Sequence, residues 1–548
     1  MEKRLLLLPV DGRPVVRGQL KHLARLAGWD LALPPISMLG YFREAANRDG
    51  ISDWLLEQAD GVDGFVLSLD TLVYGGLVAS RISADSADSL LARADCLKTL
   101  RRMCPSKPIY GFLATMRISN SNVDEEEKEY WSSYGESIWK WSYHADKHRV
   151  DGDENDLRLS QEAKSSIPAD IRDDYLATRS RNAGIAQAML DLAKDGALQR
   201  LVLPQDDNAP YGFNIAEARE LQQRVNDSDL RRRVEIRSGA DEVAWTLAAR
   251  MISHLERRPA RNVYLSWHHP GDAATIVPRY ENQPVGIAVN SQLRAAGANI
   301  ALGIKDADLV LGIHTANQPQ GDWAVRKALG RKNPLRSAWM EALARRQKDG
   351  LPVAIADLAY ANGGDPDFFN LAVERLDIES LIAYGAWNTA SNSLGTVAAQ
   401  IQLSPLRRPS APGMALKITR LIDDAFYQAG YRQVVRRKLE AGAWTLDRAK
   451  QAFCDAANQW LREHSITCFK VCNAFFPWNR SFEIGFELKS VGRRGMGDGG
   501  GCGPRAERAH PQFDSAAKAR MVEFFPADLP HPCSWASGGF AQIHKLWA

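Results

Sequence analysis

Residues 4–14 read Arg-Leu-Leu-Leu-Leu-Pro-Val-Asp-Gly-Arg-Pro, a short apolar run that ends abruptly in charged and turn-forming residues. The apolar part is shorter than the roughly 7–15 residues that the core of a signal peptide needs, and no small-residue cleavage site follows it. A continuous rather than alternating apolar run is typical of a strand that is buried on both faces. The stretch therefore predicts the first strand of a parallel sheet, with polar residues at its carboxyl end.

The same pattern recurs along the chain. Strands that alternate with helical patterns predict an α/β fold built on parallel sheet. Nine further apolar runs are each followed by a turn signal and a helical pattern: 31–34, 64–69, 108–114, 200–204, 234–237, 262–267, 309–313, 353–356 and 381–384. Ten strands leave two arrangements open, a TIM-barrel-like sheet with extra strands or a two-lobed pair of α/β units. The number of strands favours two units, because a barrel of this kind needs only eight.

Breaks in the pattern divide the chain of 548 residues. We predict a first α/β unit over 1–257, a second over 258–412 and a helical C-terminal region over 413–488. The first unit carries a helical insertion at about 122–199, where the acids 124–127 are predicted to open a helix at its positive end. Residues 489–548 begin Gly-rich and lack periodicity, which predicts a low-complexity, weakly ordered tail.

The helical insertion is rich in aromatic residues at mixed helical spacing. Two roles are open for them, a wall on which a sugar ring stacks or simple packing against the sheet, and packing is the commoner role for such residues. The apolar and aromatic positions concerned are Tyr130, Trp131, Tyr134, Ile138, Trp139 and Trp141.

The composition excludes several partners. The chain has 69 Lys and Arg against 66 Asp and Glu, so its overall charge provides no basic face for nucleic acid. No apolar stretch approaches the ~18 residues that span a membrane. Seven thinly spread cysteines suit reduced thiols better than a disulfide framework. We therefore expect a cytoplasmic protein that binds a small molecule and neither nucleic acid nor a membrane. Its oligomeric state stays open.

Polar clusters follow almost every predicted strand. Because active sites of parallel α/β folds lie at the carboxyl ends of the strands, we expect these side chains to form one polar cup. The catalytic candidates are Asp206, Asp207, Asp241 and Glu242. The substrate-binding candidates are Asp11, Arg13, Asp70, Tyr74, Arg81, Arg117, Asn208, His314, Asp357, Asn362, Trp387 and Asn388. Helix capping is the alternative for each acid or amide alone, but arginine and tryptophan are not helix N-caps.

Three functions fit such a cup. The favoured one is a glycosidase-like hydrolase that acts on a sugar, because two nearby carboxylates split their pKa values and can serve as its acid and base. A metal-dependent hydrolase or lyase would instead hold a divalent ion; its ligands would be Asp11, Asp206, His314 and Asp357. A non-enzymatic protein would bind a polar or anionic molecule through Arg13, Arg81 and Arg117. The first function needs no cofactor, and only the second calls for a metal.

Several motifs, taken together, resemble a bacterial protein family of unknown function, domain-of-unknown-function family 4127. The stretches that carry the resemblance are Leu8–Pro14, Tyr74–Arg81, Arg117–Ser119, Gln205–Pro210, Gly239–Glu242, Ala356–Gly363, Trp387–Gly395 and Pro477–Glu483. It extends from residue 1 to about residue 488. The family often has a second acid where this chain has Gly12, which removes a paired acid after the first strand. The resemblance implies no established activity, so function has to come from the chemistry of the side chains.

Overall fold

The computed structural model of the chain describes residues 3–327, 336–406 and 409–491. Its first sheet is entirely parallel and has the order β2-β1-β3-β4-β5-β6. The six strands are β1 (Arg4–Leu8), β2 (Asp30–Ala32), β3 (Gly64–Ser68), β4 (Ile109–Phe112), β5 (Arg200–Gln205) and β6 (Val234–Ser238). The central strand β3 is buried along its whole length, as its continuous apolar run predicts.

A second parallel sheet has the order β13-β11-β9-β7-β8. Short β10 pairs with β12 in parallel, and β14 forms an antiparallel hairpin with β15. The strands are β7 (Asn262–Trp267), β8 (Asn299–Ile300), β9 (Leu309–His314), β10 (Gly321–Asp322), β11 (Val353–Asp357), β12 (Tyr360–Ala361), β13 (Tyr384–Gly385), β14 (Phe469–Phe475) and β15 (Gly485–Ser490).

The two sheets share one strand order. Counted from its own first strand, each sheet runs 2-1-3-4-5, and the first sheet adds a sixth strand at its far edge. In this order the second strand lies on one side of the first strand and the third strand lies on the other. This reversal of direction opens a crevice beside the carboxyl ends of the first and third strands. In the first sheet that crevice lies beside the ends of β1 and β3.

Helices cover both sheets. Those of the first part are Gly18–Leu26, Arg48–Glu57, Leu69–Val73, Leu77–Ile82, Ala87–Ala94, Cys96–Met103, Trp131–Asp151, Glu154–Ser165, Ala169–Lys194, Phe213–Asp227 and Val243–Leu255. Those around the second sheet are Asp272–Thr275, Val285–Ala296, Ser337–Lys348, Pro366–Arg375 and Ala390–Leu403. The C-terminal region has Ala411–Arg420, the π-helix Leu421–Tyr431, Arg432–Glu440 and Leu446–Glu463. No helix within the described residues is both long enough and apolar enough to cross a membrane.

One helix joins the two sheets. Every residue of Ala390–Leu403 is buried, as expected of a helix that is surrounded by protein. Ala399 and Leu403 pack in the apolar core on one face of the first sheet. Leu394 and Val397 pack in the core of the second sheet. The shared helix holds the loops of the second sheet beside the crevice of the first.

The α/β class and the parallel sheets are confirmed, and each of the ten predicted strands is present. Two separate sheets, rather than a barrel, account for their number. The segment between β4 and β5 is helical, as predicted. The acids 124–127 do not open a helix, however, because they lie in a turn before Trp131, where the first helix of this segment begins. The hairpin of β14 and β15 was not predicted. The predicted tail lies outside the described residues from position 492 onward.

Candidate active site

A cavity of about 330 Å³ lies beside the carboxyl ends of the first sheet, where both sheets and the C-terminal hairpin meet. The hairpin loop between β14 and β15 contributes Trp478, Arg480 and Glu483. The predicted site residues that line the cavity are Asp11, Arg13, Arg81, Arg117, Asp206, Asp207, Asp241, Asn362 and Asn388. These nine side chains therefore line one space, and two of them, Asn362 and Asn388, come from the loops of the second sheet.

A guanidinium ties three distant segments together on one side of the cavity. The buried Arg13 donates from Nε to Asp11 Oδ2 at 2.8 Å and from Nη2 to Asp241 Oδ1 at 2.6 Å. Its Nη1 donates to Glu483 Oε1 at 2.9 Å. The guanidinium also lies 5.4 Å from the ring centre of Trp478. Arg13 thus links the loop after β1, the loop after β6 and the C-terminal hairpin.

On the other side of the cavity, two arginines are linked by one glutamate that accepts from both. Arg81 Nη2 donates to Asp206 Oδ2 at 2.7 Å, and Arg117 Nη1 donates to Asp207 Oδ2 at 2.9 Å. Both arginines also donate to Glu126 Oε2, at 3.2 and 3.1 Å. Burial alone would raise the pKa of Glu126, but the charges of Arg117 and Arg81 lower it to about 2. Glu126 therefore stays ionised and fixes the spacing of the two guanidinium groups.

The adjacent Asp206 and Asp207 have different surroundings. Asp206 is 14% exposed and paired with the fully buried Arg81, whereas the side chain of Asp207 is 31% exposed towards the cavity. Burial of the carboxyl group and then the charge of Asp206 raise the pKa of Asp207 to about 7, although Arg117 opposes the shift. Near neutral pH, Asp207 can therefore hold a proton beside an ion-paired carboxylate. That is the division of roles that an acid and its carboxylate partner require.

Other acids near the cavity also hold protons at unusually high pH. Burial raises the pKa of Asp241 to about 6 and that of Glu483 to about 8, in both cases against the charge of Arg13. Burial likewise raises the pKa of Asp70, beneath the cavity, to about 7, although the backbone N–H of Ala114 donates to its carboxylate. The site concentrates more carboxyl groups than its arginines can neutralise, and protonation relieves the excess.

Backbone strain is concentrated at the cavity. Five residues with positive φ line it: Asp207 (31°), Tyr280 (65°), Asn362 (59°), Asn388 (59°) and Trp478 (55°). Asparagine adopts this conformation readily, but for other side chains the cost is on the order of 1–3 kcal/mol. Such residues persist where surrounding contacts enforce them, which is common at functional sites.

Glu242 lies outside the cavity, in a structural network. It is fully buried, and its Oε1 accepts from Arg237 Nη1 at 2.5 Å and from Gln292 Nε2 at 2.8 Å. Gly239 has a φ of +127°, and a Cβ at that position would lie 2.1 Å from Glu242 Oε1. Of the two neighbouring candidates Asp241 and Glu242, only Asp241 therefore lines the cavity.

Glu242→Gln is expected to lower the free energy of unfolding by about 3 kcal/mol, because it removes the nearer of the two carboxylates that pair with buried Arg237 and leaves only Glu235, at 3.8 Å. Chemical denaturation monitored by circular dichroism measures this, with the exposed Asp173→Asn as the control. A Glu242→Gln protein of normal stability with abolished activity would contradict the structural role.

His314 and Asp357 also lie outside the cavity, at the carboxyl end of the second sheet. His314 contacts His268 through their Nδ1 atoms at 2.9 Å and Asp365 through Nε2 at 3.1 Å. Asp357 Oδ2 accepts from the hydroxyl of Tyr384 at 3.2 Å. The four side chains considered as metal ligands are thus not brought together, because Asp11 and Asp206 line the cavity and these two do not. The described residues include no group of three or more His, Cys, Asp or Glu side chains arranged to hold a metal ion.

The other predicted site residues have separate positions. Tyr74 is buried in the apolar core of the first sheet, and Trp387 is buried beside Arg420, whose guanidinium lies 5.8 Å from its ring centre. Asp70 borders a small space beneath Asp241. Asn208 lines a neighbouring cavity rather than this one. These residues support or adjoin the cavity without lining it.

Several cavity residues had no predicted role. Glu126, whose Oε2 accepts from Arg81 and Arg117, belongs to the acidic run that was interpreted as a helix start. Arg480 Nη2 donates to Glu125 Oε2 at 2.5 Å from the same run. Trp478 and Glu483 lie in the last family-like stretch, which was noted without a function. That stretch was the signal in the sequence that could have identified them.

The matches to known proteins cover this same architecture. A family model described as "Protein of unknown function (DUF4127)" matches residues 5–487, a range that includes both sheets and the hairpin at the cavity. No curated protein matches the chain. The resemblance drawn from the motifs is confirmed, and the chain belongs to the DUF4127 family.

Proposed function

We propose that this protein is a glycosidase-like hydrolase in which Asp207 is the general acid and Asp206 its carboxylate partner. The observation that carries the proposal is the contrast between these neighbours. Both accept from an arginine, but Asp206 is 14% exposed beside the fully buried Arg81, whereas Asp207 is 31% exposed and has a pKa of about 7. Asp207 would protonate the glycosidic oxygen as its bond to the sugar breaks. Asp206 would face the positive charge that develops on the sugar.

The rest of the cavity suits a sugar. Asn388 offers an amide group for hydroxyls, Asn362 offers its Oδ1 while its Nδ2 donates to Asp322, and the half-buried ring of Trp478 offers an apolar face. Pockets for small ligands commonly combine a few polar groups with aromatic walls in this way. Asp241, which Arg13 holds at two oxygens, would orient the ring rather than react.

Binding of an anion has less support. It would use Arg13, Arg81 and Arg117, but each of these already pairs with two or more carboxylates. An incoming anion would have to displace a carboxylate from a mostly buried ion pair and leave that carboxylate without a partner, which is costly. The excess of acids around the cavity favours an uncharged ligand instead.

A panel of p-nitrophenyl glycosides tests the proposal through release of p-nitrophenolate. At least one glycoside is expected to be hydrolysed, with a rate that falls as pH rises through about 7, because Asp207 then loses the proton that it must donate. The pH profile should be measured at saturating substrate, and each reaction should be stopped in base so that the released p-nitrophenolate can be detected. Absence of hydrolysis across the panel, or a rate that rises above pH 7, would contradict this assignment.

A further inference from the structure

A second cavity of about 330 Å³ adjoins the first. Ser119, Asn120, Asp207 and Tyr280 line both spaces, so the two cavities meet at these residues. Each volume lies at the lower end of the roughly 300–1,000 Å³ that is usual for a small-ligand site. The two spaces are therefore neighbours on either side of a shared set of residues that includes Asp207.

Aromatic rings form the wall of the second cavity. Trp139 and Tyr143, one turn apart on the helix Trp131–Asp151, stack with ring centres 4.9 Å apart. Tyr211 meets Tyr143 edge to face at 5.6 Å. All three rings are half-buried, whereas Trp131 of the same helix is fully enclosed in a core. Trp131 therefore has the packing role, whereas Trp139, which also packs against that core, keeps part of its ring towards the cavity.

A buried polar atom in the second cavity lacks a partner. Asn208 is 6% exposed, and its Nδ2 donates to Ser238 Oγ at 3.3 Å. Its Oδ1 has no hydrogen-bond partner among the described residues. A buried acceptor without a donor destabilises a protein, so a group that donates to it gains affinity. Asn208 lines this cavity beside the aromatic wall, so a small rotation of its amide would let Oδ1 accept from a sugar hydroxyl.

We infer that the second cavity binds the leaving-group sugar of a disaccharide or longer oligosaccharide, an inference that rests on the proposed function. A general acid must lie beside the oxygen that joins the two rings, and Asp207 lies where the two cavities meet. In the reaction the proton of Asp207 passes to that oxygen, the bond to the anomeric carbon breaks and the second sugar leaves as an alcohol. Water supplies hydroxide to the anomeric carbon and returns a proton to the protein.

Trp139→Ala tests the inference, and Trp444→Ala is the matched control because Trp444 is also half-buried but lines neither cavity. Isothermal titration calorimetry with cellobiose, maltose, lactose, xylobiose and chitobiose measures binding directly. Loss of one stacking ring is expected to weaken the best disaccharide about tenfold. Trp444→Ala should bind it as the wild type does. Equal binding by Trp139→Ala and wild type, or no binding to any disaccharide in the panel, would overturn the inference.

The kinetic arm separates this inference from the proposed function. For the sugar that is hydrolysed, Trp139→Ala should lower kcat/KM about tenfold for the p-nitrophenyl glycoside and less than twofold for the glycosyl fluoride, which has no leaving-group ring. Equal losses on both substrates would overturn the subsite while leaving the hydrolase intact. Disaccharide binding that depends on Trp139, without hydrolysis of any substrate, would support the subsite and reject the hydrolase.

Discussion

Asp207→Asn is expected to lower kcat/KM for unsubstituted phenyl glycosides, whose phenolate is a poor leaving group, by about 10²–10⁴-fold, the usual contribution of a general acid. The substitution removes the only proton that this position can supply to the leaving oxygen, while an amide of the same size can still accept from Arg117. Because Asp207 is 31% exposed and its carboxyl is destabilised by Asp206, the free energy of unfolding should change little.

Two comparisons make the result on Asp207→Asn specific. Glycosyl fluorides, whose leaving group needs little protonation, should retain most of their rate in Asp207→Asn. The fall in wild-type rate through about pH 7 should also vanish in this variant, because the titrating group is gone. Asp173→Asn, an exposed acid on the insertion, provides the control. Equal losses on fluoride and phenyl substrates would assign Asp207 a role other than proton donation.

Arg13→Met is expected to lower the free energy of unfolding by about 3–5 kcal/mol at pH 8, the usual cost of leaving buried charges without their partner. Asp11, Asp241 and Glu483 all lose the guanidinium that they share. Arg158→Met is the matched control, because its exposed pair with Glu162 should be worth only about 0–1 kcal/mol. Urea denaturation of the wild type and both variants measures the difference.

The defect in Arg13→Met should shrink as pH falls from 8 to 5. Asp241 and Glu483 already have raised pKa values in the folded wild type, and loss of Arg13 raises them further. A folded state that binds more protons than the unfolded state gains stability as pH falls, so protonation restores part of the loss. A defect that is constant over this range would show that Arg13 acts through packing, for example against Trp478, and not through its charge.

The fold was largely predictable because its strands are short apolar runs, and burial on both faces leaves that mark in the sequence. The shared 2-1-3-4-5 order was not predictable, since strand order depends on crossovers that leave no local pattern. The hairpin of β14 and β15 was missed for a related reason. Its residues alternate between half-buried and exposed positions and carry no continuous apolar run.

The strand-end rule predicts part of the residues that line the cavity. Asp11, Asp206 and Asp241 follow strands of the first sheet, and all three line the cavity. His314 likewise ends a strand of the second sheet, yet it is buried against His268 and lies outside the cavity. The rule predicts that a site lies at the carboxyl edge of a sheet, but it cannot predict which of two sheets has an open crevice at that edge. Glu126 shows the opposite case, because a run of acids in a turn carries no sign of the arginines that it meets in space.

The ion pair between Arg13 and Glu483 joins positions 470 residues apart in the chain. During synthesis on a ribosome, both sheets emerge before the hairpin loop that carries Trp478 and Glu483. A nascent chain therefore reaches a stage at which Arg13 and Asp241 are in place but one wall of the cavity is still missing. The hairpin therefore completes the cavity, and a chain that ends before residue 477 lacks this wall even when its two sheets have formed.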